Sequence, residues 1–261
     1  MALVTALYLV YLVTPILLLA VGSFGETWTN TLLPSGITGR WYAQLWADGS
    51  FRRAFVVSLQ VVAATCIACT LLAVPLAYAI YRSAARGVRA AARLVALLPI
   101  AVPPLVLGFG FILVFSSDAT PWLGSLWVLV AGHVVLCLPY LLQTLVGDMR
   151  HLQLARQEEA AESLGASFPR RFVDVVLPSL RHALASGLIM VAALSIGEFQ
   201  ISNLIAGFLG RPYPVVLLQA FYGATGFACA ATVVLLALAL LAAAAGAGTA
   251  RSAAGTRHAG P

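Results

Sequence analysis

No lysine occurs anywhere in this 261-residue chain; all 15 of its basic residues are arginine. A phosphate-cradling P-loop ends in Gly-Lys-Ser/Thr, so ATP hydrolysis by that route is excluded, as is any enzyme built on a Schiff-base lysine. Charge of either sign is scarce. Only 9% of residues are charged while 61% are hydrophobic, and an ordinary soluble domain carries about 25% charged residues. Such a chain cannot cover a water-facing surface, which excludes a water-soluble fold. Metal-site spacing is also lacking: there is no HExxH, and Cys66-x-x-Cys69 has no second pair to match it. All four cysteines (Cys66, Cys69, Cys137 and Cys229) fall in apolar runs, where cysteine serves as a small packing residue. No cluster of polar residues gathers at one membrane face, so the chain reads as a non-enzyme without metal or cofactor.

What is present is a series of apolar runs. A helix needs roughly 20 apolar residues to cross about 30 Å of hydrocarbon. Leu3 to Val21, Phe55 to Ile80, Leu94 to Phe115, Leu126 to Val146 and Ala183 to Phe208 each supply one. Val215 to Ala245 is too long for one crossing; Gly223 to Ala245 reads as the sixth helix, with Val215 to Tyr222 as an interfacial lead-in. The expected fold is therefore an all-α integral membrane protein of six transmembrane helices, with residues 1–245 forming the transmembrane domain. The Ala/Gly/Ser-rich segment 246–261 reads as a disordered tail. The first run lacks the positive n-region of a signal peptide and is expected to stay as an uncleaved helix.

Arginine counts give the orientation. The connections Arg82 to Arg93 and Gly147 to His182, with the tail, hold eleven arginines; the opposite set, Arg40, Arg52, Arg53 and Arg211, holds four. Eleven against four puts the first set and both termini in the cytoplasm of a cell whose inner membrane the chain spans. The formal charge of +6 is thus a topogenic and lipid-surface signal, with no nucleic-acid partner implied.

Few polar groups lie at membrane depth. Glu198 is the only acid within a span, and an intramembrane ionisable group is a functional candidate by default. Ser195, Glu198 and Ser202 recur at i, i+3 and i+7, which puts them on one face of the fifth helix. That face looks either into a translocation path or at a neighbouring helix. Asn203 adds polarity on an adjacent face. His133, in the fourth span, must find a partner at that depth, as an interhelical hydrogen bond or in transport. Pro99, Pro103 and Pro104 make the third span easy to bend.

The longest cytoplasmic connection, about 147–182, balances five arginines against five acids, which suits docking to another protein better than adhesion to lipid. Gln157 to Leu164 is a run of strong helix formers, and Gly165 fits a helix C-cap. Ser167 and Pro169 suit a second helix start running towards Leu177, with Pro178 just before the chain re-enters the membrane.

Within that connection Glu159-Ala160-Ala161, Gly165, Val175 and Leu177-Pro178 fall at the spacing of the EAA loop. The chain thereby resembles permease subunits of binding-protein-dependent ABC importers of the MetI-like type. The resemblance implies a separate ABC ATPase dimer that receives the loop's short helix in a groove. Glu159 would contact the ATPase or cap the loop, Ala160 and Ala161 would allow close approach, and Gly165 would make the turn. Val175 belongs to the same pattern, and Leu177 and Pro178 would anchor the second helix. It further implies a second permease subunit, expected to be a different chain, around which the first span wraps, and an extracytoplasmic solute-binding protein. The stretches Leu33 to Thr38 with Trp41-Tyr42, and Ser125 to Val128 with His133, resemble the polyamine and aminophosphonate branch. The alternative is a secondary transporter driven by an ion gradient, against which stand the EAA spacing and the lack of an inverted repeat.

Overall fold

The computed structural model describes residues 1–28, 31 and 33–255. Helix α1, Ala2–Ser23, leads into two short antiparallel strands, β1 (Gly25–Thr27) and β2 (Ser35–Ile37), with Gly25 opposite Ile37. Next come α2 (Arg40–Ala47), α3 (Gly49–Arg82), α4 (Arg86–Ala101), α5 (Pro104–Phe115) and α6 (Leu126–His151). The connection after α6 holds α7 (Leu154–Ser163) and α8 (Phe168–Arg171). A π-helical segment, Phe172–Val176, then leads into α9 (Leu177–Ile196), followed by α10 (Gln200–Ile205), α11 (Tyr213–Phe221) and α12 (Thr225–Gly255).

Among the described residues, four helices are long and apolar enough to cross a membrane: Leu3–Ser23, Gly49–Arg82, Leu126–His151 and Phe168–Ile196. The third expected span is broken. Arg89–Ala101 and Pro104–Phe115 meet at 99°, because Val102 precedes a proline pair. A residue before proline is pushed from the helical region into extended backbone, and Val102 has ψ 127°. Counting that pair as one span gives five, and Thr225–Leu241 is a shorter apolar helix at the sixth position. The α-helix of α12 continues through 246–255, where alanine favours helix; residues 256–261, the rest of the segment read as a tail, lie outside the described residues.

The fifth expected span also differs at both ends. It starts earlier, at Phe168, so Pro178 sits inside a continuous helical run instead of before it. Proline lacks an N–H and crowds the preceding turn; the wider π-turn just before it, where the Leu177 N–H reaches Phe172 O, absorbs that disruption. At its other end the span stops at Ile196, where Gly197 caps the helix and α10 follows as a separate short element.

The chain forms two compact units. One comprises Met1–Ser58 with Arg211–Leu241. In it Phe51 packs edge-on against Tyr213 and Phe227, with centroids 5.4 and 5.2 Å away. Tyr213 donates its hydroxyl to Ala231 O at 2.9 Å and its N–H to Ser58 Oγ at 2.8 Å. The stretch read as an interfacial lead-in is therefore a buried helix, α11, with Val215, Val216 and Leu217 inside.

The other unit is built around Leu59–Gly210. Its core is the α6–α9 face, where Leu141, Leu145, Met149, Leu180 and Val191 are buried. Lipid tails are as apolar as leucine, so close packing and hydrogen bonds must hold such helices together. Glycines supply the closeness: a side chain at Gly187 would meet Leu141 at 2.5 Å, and one at Gly132 would meet Ile201 at 2.9 Å. The tightest approach is between backbones. Gly124, at φ +85°, bridges to Ala206, and a Cβ at Gly207 would stand 2.3 Å from Gly124 O. Neither main chain can turn aside as a flexible side chain would, so Gly207→Ala is expected to cost about 1–3 kcal/mol. A detergent melting curve checks this, and an unchanged Tm would refute the bridge as a fixed joint.

Candidate functional site

His133 is 1% exposed on α6, and both its ring nitrogens are used. Nδ1 lies 2.7 Å from Ser195 Oγ and Nε2 lies 2.9 Å from Ser202 Oγ. Ser202 in turn donates its hydroxyl to Glu198 Oε2 at 2.6 Å. A serine has one proton; Ser202 spends its own on the carboxylate, so His133 Nε2 must carry the N–H of that pair. A neutral ring then accepts at Nδ1 from Ser195. The four groups form one directed chain of hydrogen bonds from Ser195 through His133 and Ser202 to Glu198.

Glu198 occupies the break between α9 and α10. Its Oε1 accepts the Ile201 N–H at 2.8 Å and its Oε2 accepts the Ser202 N–H at 2.9 Å. The carboxylate thus takes two of the N–H groups that a helix start leaves without partners. This explains why the fifth span does not run through: a glycine followed by a side chain able to cap the next turn favours a new helix over continuation. Ser195, Glu198 and Ser202 therefore do not share a face of one helix. They are gathered by the break, with His133 from α6 at the centre. Asn203 is exposed and stands outside this chain.

One edge of the group opens. Pro99, Val102, Tyr140, Glu198, Phe199 and Gln200 are among the residues lining a cleft of about 480 Å³. Its lining comes from the kink after α4, from α6 and from the α9–α10 break. Among its described lining residues Glu198 supplies the one carboxylate, and none is basic.

The second set of expected residues lies at α7. Glu159 and Ala160 are exposed and Ala161 is half-buried. Gly165 has φ +83°; its N–H reaches Glu162 O at 2.8 Å and the Ala166 N–H reaches Ala161 O at 3.1 Å. These two bonds make a Schellman cap, which needs the left-handed backbone that glycine adopts freely. Leu164, at the tip, is 89% exposed. Val175 is half-buried in the π-segment, while Leu177 and Pro178 are exposed on the first turn of α9.

The opposite face of α7 carries contacts that the EAA spacing does not point to. Leu154 and Glu158, one turn apart, are both buried. Glu158 Oε1 accepts the Tyr78 hydroxyl at 2.7 Å, and the Ala155 N–H donates to Tyr81 Oη at 3.0 Å. Arg82 Nη1 stands 3.9 Å from Glu158 Oε2. Tyr78 packs edge-on against Phe172 at 5.4 Å. The sequence signal is a tyrosine pair and an arginine closing the second span, Tyr78-x-x-Tyr81-Arg82; such residues at a membrane boundary pass for interfacial anchors.

Residues 70–248 match the family model described as "Binding-protein-dependent transport system inner membrane component". The spermidine/putrescine transport system permease protein PotC of Escherichia coli (strain K12) is 28% identical over 220 residues, covering 78% of this chain and 75% of the relative. The putative 2-aminoethylphosphonate transport system permease protein PhnV of Salmonella typhimurium (strain LT2) is 27% identical over 236 residues, covering 90% and 87%. Among solved structures, a bacterial ABC transporter involved in import of the acidic polysaccharide alginate superposes with a TM-score of 0.75 at 14% identity, covering 95% of this chain and 92% of that one. A multi-pass helical chain with an EAA loop, matched over most of its length, is accordingly a member of the binding-protein-dependent transport system inner membrane component family, the permease subunits of ABC importers.

Proposed function

We propose that this permease, paired with a second and different permease chain, forms the path for a small solute bearing a primary ammonium group. An extracytoplasmic binding protein delivers the solute, and an ABC ATPase dimer drives the cycle from the cytoplasm, where both termini lie. The observation that carries the reading is the tip of α7, where Glu159, Ala160 and Glu162 to Gly165 are exposed, on a chain that has no P-loop lysine of its own. Such a chain needs an ATPase and offers a surface for one.

The relatives' names supply the substrate class. Polyamines and 2-aminoethylphosphonate share an ammonium group, and Glu198 is the one carboxylate among the cleft's described lining residues. With no base among the described lining residues to meet a phosphonate, a polyamine is the first choice. The aminophosphonate relative's 90% coverage of this chain makes 2-aminoethylphosphonate the second. Tagged purification with mass spectrometry identifies the ATPase and the second permease. Uptake of labelled putrescine and of labelled 2-aminoethylphosphonate by the reconstituted importer then decides between the two solutes.

Glu198→Gln keeps an oxygen for one of the two α10 N–H groups and removes the charge. We expect normal expression with uptake reduced about tenfold or more, the worth of one charge-assisted hydrogen bond of about 1.5–3 kcal/mol. Wild-type uptake by this variant would remove Glu198 from the path and leave it as a helix cap.

A further inference from the structure

The EAA pattern directs attention to Glu159, yet the acid buried against the membrane domain is its neighbour. Glu158 is 2% exposed, a cost that a carboxylate meets only with partners. Its Oε1 is held by Tyr78, a residue 80 positions earlier on the last turns of α3. Its Oε2 has no hydrogen-bond partner, and Arg82 Nη1 waits at 3.9 Å, beyond hydrogen-bond reach. Beside it the Ala155 N–H is held by the Tyr81 hydroxyl. Two hydrogen bonds and one unclosed ion pair therefore run from one face of α7 to one end of α3. The other face of α7 carries exposed Glu159 and Ala160.

From this juxtaposition we infer that Glu158 is the positioning residue that fastens the coupling helix to α3, so that movement imposed on α7 is passed to a helix of the membrane domain. The inference rests on the importer reading above. A tie through one side chain with a second, unclosed partner has two arrangements. In the one seen here, Glu158 is bound to Tyr78 alone. In the other, a shift of about 1 Å closes the Arg82 pair to hydrogen-bond distance. Such a two-state element is what carries coupling between sites. The same geometry separates the roles of adjacent acids: Glu159 faces outwards for the ATPase, and Glu158 faces inwards for the chain's own membrane domain.

The test uses the purified complex of this chain with its ATPase, followed by hydrogen exchange with and without ATP. In the wild type, ATP is expected to alter exchange in peptides covering both 154–163 and 75–82. In Glu158→Ala the ATPase still co-purifies and the response of 154–163 persists. The response of 75–82 falls by about tenfold, within the range by which residues along a coupling route act. Glu158→Gln, whose amide oxygen can still accept from Tyr78 but whose NH2 cannot accept from Arg82, restores only part of it. Tyr78→Phe keeps the ring on Phe172 and removes only the hydroxyl; it is expected to reproduce the alanine result, and it decides the matter if the alanine variant does not fold. An undiminished response of 75–82 in Tyr78→Phe would overturn this inference alone. A wild-type chain that retains no ATPase would overturn the importer reading and this inference with it.

Discussion

His133→Leu is expected to lower the apparent melting temperature of the permease by roughly 6–12 °C, the equivalent of ~3 kcal/mol in a domain of this size. The loss does not come from the imidazole's own volume, which leucine replaces approximately. It comes from what is left behind. Ser195 and Ser202 are 3% and 0% exposed, and in the wild type each meets a ring nitrogen of His133. An orphaned buried hydroxyl costs about 1–3 kcal/mol, whereas removing both members of a pair can be nearly neutral. The paired variant His133→Leu with Ser195→Ala is therefore expected to be more stable than His133→Leu alone, although it carries one more change. Ser202 would still have Glu198 to donate to, so adding Ser202→Ala should recover less. Melting curves of the single, double and triple variants in one detergent give the ordering. If the double variant is the less stable, the directed hydrogen-bond chain is not what holds α6 to the α9–α10 break.

The parts of this arrangement are legible in the sequence to different degrees. His133, Ser195, Glu198 and Ser202 stand out because polar groups are few in apolar runs, and the structure brings all four together. Their geometry cannot be read the same way. A spacing of i, i+3 and i+7 assumes unbroken helix, and the break at Gly197 is set by the Glu198 carboxylate capping α10, a choice between two local hydrogen-bond schemes. The same holds at the third span, where Pro99, Pro103 and Pro104 signal a bend but not its 99° size. Asn203 draws notice by its type alone and lies exposed outside the group.

At the connection after α6 the turn is readable, because a positive-φ position after a run of helix formers selects glycine. The inward face is not. Glu158 and Glu159 are neighbours of the same type, and which of them is buried depends on how α7 lies against α3, a fact of tertiary packing 80 residues apart. The family match over residues 70–248 leaves the gradient-driven alternative without support.

Gly165→Asp is expected to abolish co-purification of the ATPase while leaving the permease nearly as stable as the wild type. Gly165 sits at φ +83°, and beyond its immediate chain neighbours no heavy atom lies within 4 Å of the place a Cβ would take, so added bulk meets nothing internal. The left-handed conformation costs an L-residue roughly 1–2 kcal/mol, least for asparagine and aspartate. The Schellman cap therefore survives in this variant with a penalty too small to unfold α7. What changes is the outer face. Beside Leu164, which is 89% exposed, the variant presents a carboxylate where the tip would enter a partner's groove. A charge desolvated in an interface without a partner costs several kcal/mol, so binding should weaken at least about thirtyfold. Gly165→Asn is the matched control, equal in backbone tolerance and close in size but uncharged, and should retain a larger share of the ATPase. Both are measured as ATPase recovered per permease at equal Tm. Full recovery with Gly165→Asp would mean that the tip of α7 is not the docked surface. The exposed first turn of α9, with Leu177 and Pro178, would then be the place to look.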